Sequence, residues 1–150
     1  MGGLSGQLLY FAYGADISRE DFVYRLPGAD WLGLAILEGH RLVIDARGVA
    51  SVRVEKGATV WGVLWFVPAD ELPSLDKFNG ASGGGGERTT KRIVSPAGPR
   101  IEAMMYVSLL NGSAGVSAEG YLAGIIKGAV ENRFPAEYLQ ELKAWTKLKN

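Results

Sequence analysis

The chain has 150 residues, with 16 basic and 16 acidic side chains and a formal net charge of zero. That length suits a single domain, residues 1–150, whose core is large enough to fold without a disulfide or a metal, and the balanced charge gives no electrostatic pull toward nucleic acid or an anionic membrane. Cysteine is absent and His40 is the lone histidine, which excludes disulfides, thiolate chemistry, cysteine metal sites and a histidine cluster.

The N-terminal stretch MGGLSGQLLYFAYG carries neither a basic leader nor a long apolar segment, so no secretory signal is expected. Leu8 to Tyr13 is short, aromatic-rich and apolar on both faces, the pattern of a buried strand. Ser18 supplies a helix N-cap, with Asp21 three residues on in the acid position of a capping box. SREDFVYR is then a short helix ended by Pro27-Gly28. WLGLAILEG, HRLVIDA and VASVRVE read as three strands separated by glycine-containing breaks. TVWGVLWFV is apolar on both faces, as a central strand of a barrel or covered sheet is, and too short to span a bilayer. Its Trp61, Trp65 and Phe66, together with Trp31, are expected in the core, because no basic patch accompanies them as base stacking would require.

PADELPSLDKF reads as a short helix with Pro68 and Pro73 near its start. Asn79 to Gly86, NGASGGGG, is the least constrained segment. It lacks the Lys-Ser/Thr ending and following helix of a phosphate cradle, which leaves a connecting role. RTTKRIVS and RIEAMMYVSLL form a strand pair across PAGP. The period then changes: Tyr121, Ile125 and Ala129, with Leu122, Ile126 and Val130 beside them, recur at helical spacing. Glu131-Asn132 ends that helix, with Arg133 beside its negative dipole end, and Pro135 opens a second, PAEYLQELKAW, before a basic tail. The order is α+β, with strands that close on themselves. A soluble, cytoplasmic protein is expected.

The turn after the first strand has two readings. Tyr13-Gly14-Ala15-Asp16 is either an ordinary strand-to-helix connection or a place where backbone N–H groups without helical partners hold a carboxylate or carbonyl oxygen. Gly14 would let such a ligand approach the main chain.

YLAGIIKGAVENRFPAEYLQELKA, read with LYFAYG, VWGVLWFV and LDKFNG, resembles the gamma-glutamylcyclotransferase family. The pattern rests on Tyr121, Ile125, Gly128-Ala129, Glu131-Asn132, Pro135 and Tyr138, and the likeness runs in order from Leu8 to about Ala144. The resemblance implies a compact mixed β-barrel with flanking short helices. It also implies a cofactor-independent reaction that turns a gamma-glutamyl amine or peptide into 5-oxoproline and the free amine. The substrate's α-amine attacks its own γ-carbonyl, so the protein has to supply carboxylate and oxyanion recognition and a base for the α-ammonium. The implied partner is a small gamma-glutamyl or amino-acid ligand, with no metal, nucleic acid or membrane.

Residue by residue, the family's recognition loop falls on Tyr13, Gly14, Ala15, Asp16 and Ile17, where Tyr-Gly-Ser-Asn is usual. Ala15 lacks the hydroxyl. Asp16 puts an acid where an amide is expected: it either faces the ligand, repelling an α-carboxylate or attracting an α-ammonium, or serves at the helix cap. Tyr106 and Tyr121 lie in segments that line the pocket in similar proteins, and are read as pocket or packing residues. The family's general base, a glutamate before the glycine of LDKFNG, falls on Asn79, whose carboxamide does not accept the proton. Positioned acid–base catalysis is worth about 10²–10⁴-fold, so this change bears directly on activity. Glu87, at the end of the glycine-rich segment, is a candidate substitute, while Asp76 is expected to stay structural. The pocket tyrosine that the family carries downstream falls on Gly86 or Glu87. These departures cluster in the pocket while the scaffold motifs persist. Three functions follow: a gamma-glutamylcyclotransferase-like enzyme, a non-catalytic small-ligand-binding or regulatory domain on the same fold, and a changed reaction on another amide with Glu87 or Asp16 as the carboxylate.

Overall fold

The computed structural model describes residues 6–45, 49–78, 86–108 and 121–147. Among these, five strands close a barrel in the order β1-β3-β2-β4-β5: β1 (Gln7–Ala12), β2 (Asp30–Ile44), β3 (Ala50–Pro68), β4 (Gly86–Val94) and β5 (Arg100–Ser108). Four helices flank it, α1 (Arg19–Arg25), α2 (Leu72–Phe78), α3 (Tyr121–Glu131) and α4 (Ala136–Lys147). The barrel is mixed, because β1 runs antiparallel to β3 and parallel to β5 through the Tyr10–Met104 pair. Neighbours on both sides explain why Tyr10, Phe11 and Ala12 are all buried. Among the described residues no helix is long and apolar enough to cross a membrane.

The glycine-containing breaks expected between three strands are corrected by the structure. WLGLAILEG and HRLVIDA belong to one continuous strand, β2, and VASVRVE runs on into TVWGVLWFV as β3. The β2–β3 ladder absorbs the irregular residues as register shifts between Trp31 and Gly33 and between Glu38 and His40. Gly33 and Gly39 take φ of +135° and +73° there, conformations that a bulge accommodates without ending the strand.

Trp31 is a second correction. It sits at the first of these shifts, 36% exposed, with the Arg19 guanidinium 4.2 Å above its ring rather than in the core. Trp65 is fully buried, while Trp61 and Phe66 are half-buried. Phe22 anchors α1 by packing its ring 4.4 Å from that of Trp65 and 5.9 Å from that of Tyr10. At the other end, α3 stops where Arg133 turns left-handed (φ 58°). Phe134 N–H then donates to Ala129 O and Arg133 N–H to Val130 O, both at 3.0 Å, the paired bonds of a Schellman motif. That stop swings Phe134 onto Trp61, with ring centroids 6.0 Å apart, and fixes the α3–α4 corner against β3.

Candidate active site

A cavity of about 370 Å³ lies where six segments of the chain meet. It is lined by Tyr10, Tyr13, Gly14 and Asp16 from β1 and the turn after it, Arg25 from the end of α1, and Val49 and Ala50 at the start of β3. Lys77 and Phe78 from α2, Tyr106, Val107 and Ser108 from β5, and Tyr121 from the start of α3 complete it. The volume suits a small molecule.

The turn is held from behind. Ala15–Ile17 form one 3-10 turn, with Ile17 N–H donating to Gly14 O at 3.3 Å. Ile17 is buried beneath α3, and a Cβ at Gly128 would stand 2.6 Å from Ile17 Cγ1 and 3.2 Å from Ser18 N. Only a residue without a side chain lets the helix come this close. Asn132 completes the clamp: its Nδ2 donates to Ile17 O and to Gly128 O, each at 2.8 Å. Ser18 stands at the N-cap position of α1, but its hydroxyl makes no capping bond.

The front of the same turn faces the cavity. Asp16 is 4% exposed and accepts a hydrogen bond from Tyr10 Oη. Burial raises its carboxyl above the ordinary carboxylate range, opposed by the Tyr10 hydrogen bond. Burial likewise raises the phenols of Tyr10, Tyr13 and Tyr106, so all three stay neutral donors at ordinary pH.

A second chain of bonds builds the facing wall. Tyr13 Oη donates to Tyr106 O at 2.6 Å, and Tyr106 Oη donates to Asp76 Oδ1 at 2.5 Å. Arg88 Nε pairs with the same Asp76 oxygen at 3.0 Å. Tyr121 Oη accepts from Ala50 N–H at 3.0 Å, which ties the start of α3 to β3 across the cavity. Arg25 and Lys77 are exposed cations at the rim, with the Arg25 guanidinium 4.2 Å above the Phe78 ring. Among the described residues no three metal-ligating side chains converge.

Known proteins share both this sequence and this architecture. The profile of the AIG2-like family matches residues 59–142, more than half of the chain. Human gamma-glutamylcyclotransferase is 31% identical over 146 residues, covering 91% of this chain and 77% of that protein, and the mouse protein matches to the same extent. A solved gamma-glutamyl cyclotransferase structure superposes with a TM-score of 0.85 at 30% identity, covering 92% of this chain and 87% of that one. The chain belongs to the gamma-glutamylcyclotransferase-like family.

Of the residues expected to form the recognition loop, Tyr13, Gly14 and Asp16 line the cavity, as do Tyr106 and Tyr121. Ile17 does not; it packs against α3. Ala15 begins the 3-10 turn, and its side chain lies outside the described residues. Asn79, where the family's base is expected to fall, also lies outside them. Glu87 is exposed on β4, opposite Val107 of β5, and is not among the residues that line the cavity. Asp76 is held by Tyr106 and Arg88.

Several residues of the site had no signal of their own in the sequence. Arg25 and Phe78 come from helices 53 positions apart by their numbering and meet only at the rim (78 − 25). Asn132 reads as a helix terminator, yet its amide reaches 115 residues back to Ile17. Tyr10 did carry a signal: a tyrosine in a fully apolar strand needs a partner for its hydroxyl, and an acid six residues on, past a turn, is within reach.

Proposed function

We propose that this chain binds a gamma-glutamyl amine or gamma-glutamyl peptide in the cavity and cyclises it to 5-oxoproline with release of the amine, in the cytoplasm. The observation that carries the reading is the convergence of Tyr13, Gly14, Asp16, Tyr106 and Tyr121 on one cavity in a chain of this family. The reaction is intramolecular. The α-nitrogen of the substrate bonds to its own γ-carbonyl carbon, the amide C–N bond breaks, and two protons pass from the α-ammonium nitrogen to the departing amine, which leaves as an ammonium. Holding the gamma-glutamyl half folded back on itself is therefore much of the work, and a small cavity with a clamped floor does that. Rim cations Arg25 and Lys77 favour a ligand that carries carboxylates.

A second reading keeps the cavity and drops the reaction. The resemblance puts Asn79 at the general-base position, and a carboxamide there favours a binding or regulatory domain. Incubating the purified chain with a panel of gamma-glutamyl amines and dipeptides, and detecting 5-oxoproline by mass spectrometry, separates the two. Formation of 5-oxoproline from any member supports the cyclising reading. Ligand-dependent rises in melting temperature without product support the binding domain. Neither product nor thermal shift across the panel would sink both.

A further inference from the structure

The cyclisation needs a group to take a proton from the α-ammonium, and one residue on the cavity wall is built for it. We propose that Asp16 is the proton acceptor of this site, with Tyr10 as its positioning residue. The inference rests on the function proposed above and names the group that would perform its proton transfer.

Asp16 is the single carboxylate among the described residues that line the cavity. Its side chain is nearly sealed from solvent at 4% exposure, and Tyr10 Oη donates to Oδ2. The groups that line the cavity with it are Tyr10 from β1, Tyr13 just after that strand, Tyr106 from β5, Tyr121 from α3, and the rim cations Arg25 and Lys77 from α1 and α2. The phenols of Tyr10, Tyr13 and Tyr106 are donors held neutral by burial, the Tyr121 oxygen already accepts from Ala50 N–H, and the cations cannot accept a proton. Only Asp16 in this set can act as the base. The other nearby carboxylates are otherwise placed: Asp76 is committed to Tyr106 and Arg88, and Glu87 lies exposed on β4.

Charge sorting gives the substrate one orientation. The cationic rim repels an α-ammonium and attracts carboxylates, while the buried anion of Asp16 attracts the ammonium. Asp16 takes a proton from that ammonium, the freed amine bonds to the γ-carbonyl carbon, and that proton passes to the nitrogen that leaves as its C–N bond breaks. The second proton shed by the attacking nitrogen, which ends as the lactam N–H, follows to the departing amine, which leaves as an ammonium. No oxidant, metal or second substrate enters the balance. Burial strengthens Asp16 as a base, because desolvation disfavours its anion. The Tyr10 hydrogen bond works in the opposite sense and fixes the orientation of the carboxylate.

The test compares wild type, Asp16→Asn and Tyr10→Phe across pH, following 5-oxoproline from a gamma-glutamyl dipeptide and binding of 5-oxoproline by calorimetry. Asp16→Asn is nearly isosteric and is expected to lower kcat by about 10²–10⁴-fold while 5-oxoproline binding and melting remain cooperative. Wild-type kcat/KM is expected to rise with pH along a limb lying above the ordinary carboxylate range. Tyr10→Phe removes the bond that favours the anion, so that limb should move to higher pH. Wild type that turns over while Asp16→Asn keeps its kcat and its limb overturns the role of Asp16 and leaves the cyclising function standing. Wild type that binds 5-oxoproline without turnover also overturns the role. Absence of both binding and turnover means the functional reading itself is wrong. If Asp16→Asn does not fold, an unmoved limb in Tyr10→Phe overturns the proposal and a limb at higher pH supports it.

Discussion

Asp16 and Ile17 are consecutive residues of one short turn, and they face regions built on different terms. Behind the turn, Ile17 meets α3 through Gly128 and Asn132, a contact set by steric fit and two hydrogen bonds to main-chain carbonyls. In front, Asp16 faces a cavity bounded by phenols and cations, where charge and proton affinity decide what fits. The back includes Gly128 and Asn132, two residues of the pattern on which the resemblance rests, whereas Ala15, Asp16 and Asn79 are where the resemblance leads us to expect departures. Substitutions on the two sides should fail in different ways.

The largest effect on stability is expected from Gly128→Val behind the turn. Its Cβ would stand 2.6 Å from Ile17 Cγ1 and 3.2 Å from the Ser18 nitrogen, so the helix has to move away. Overpacking of this kind costs about 3 kcal/mol at the upper end of its usual range, and melting should show a Tm lower by roughly 6–12 °C. Asn132→Ala comes next. It leaves the buried Ile17 carbonyl without its amide donor, a loss of about 1–2 kcal/mol, and ligand affinity should fall with it because the cavity floor loosens.

Asp16→Asn should do the reverse in front. The folded carboxyl titrates above its ordinary 3.8, so the folded chain holds that proton more tightly than the unfolded chain. Stability from this group is fully present below about 3.8 and is lost as pH rises through the raised value. The variant, which has no such titration, is expected to gain on wild type as pH increases and to melt higher at neutral pH. Parallel melting curves from acidic to neutral pH check this; a difference that stays flat would show that Asp16 titrates normally. The smallest effects belong to the rim. Arg25→Ala and Lys77→Ala should each raise KM by about 2–5-fold, since exposed charge pairs are worth roughly 0.2–1 kcal/mol, and added salt should shrink the difference.

The same division governs what could be read from the sequence. The buried strand at Leu8–Tyr13, the short helix after Ser18 and the helical period from Tyr121 onward follow from local pattern, and the structure has an element at each. The continuity of β2 and β3 does not, because Gly33 and Gly39 look like breaks until partner strands show them to be bulges. Trp31 looks like core for the same reason, since its exposure depends on the register shift beside it. Within the site, the motif points to the Tyr13–Ile17 loop as a unit. It cannot say that Ile17 turns back and Asp16 turns in, because that division is made by α3 more than a hundred residues away, an Asn132-to-Ile17 separation of 115. Residues that meet only through the barrel, such as Arg25 with Phe78, leave no trace in local sequence.

We have proposed that the front of this turn is a gamma-glutamyl site organised around Asp16. A crystal structure of the chain with 5-oxoproline bound tests it most directly. The expected result is the lactam in the cavity, its ring nitrogen within hydrogen-bond distance of an Asp16 carboxylate oxygen and Tyr106 on the facing side. A lactam bound elsewhere, or bound in the cavity with Asp16 turned away from it, would contradict the account.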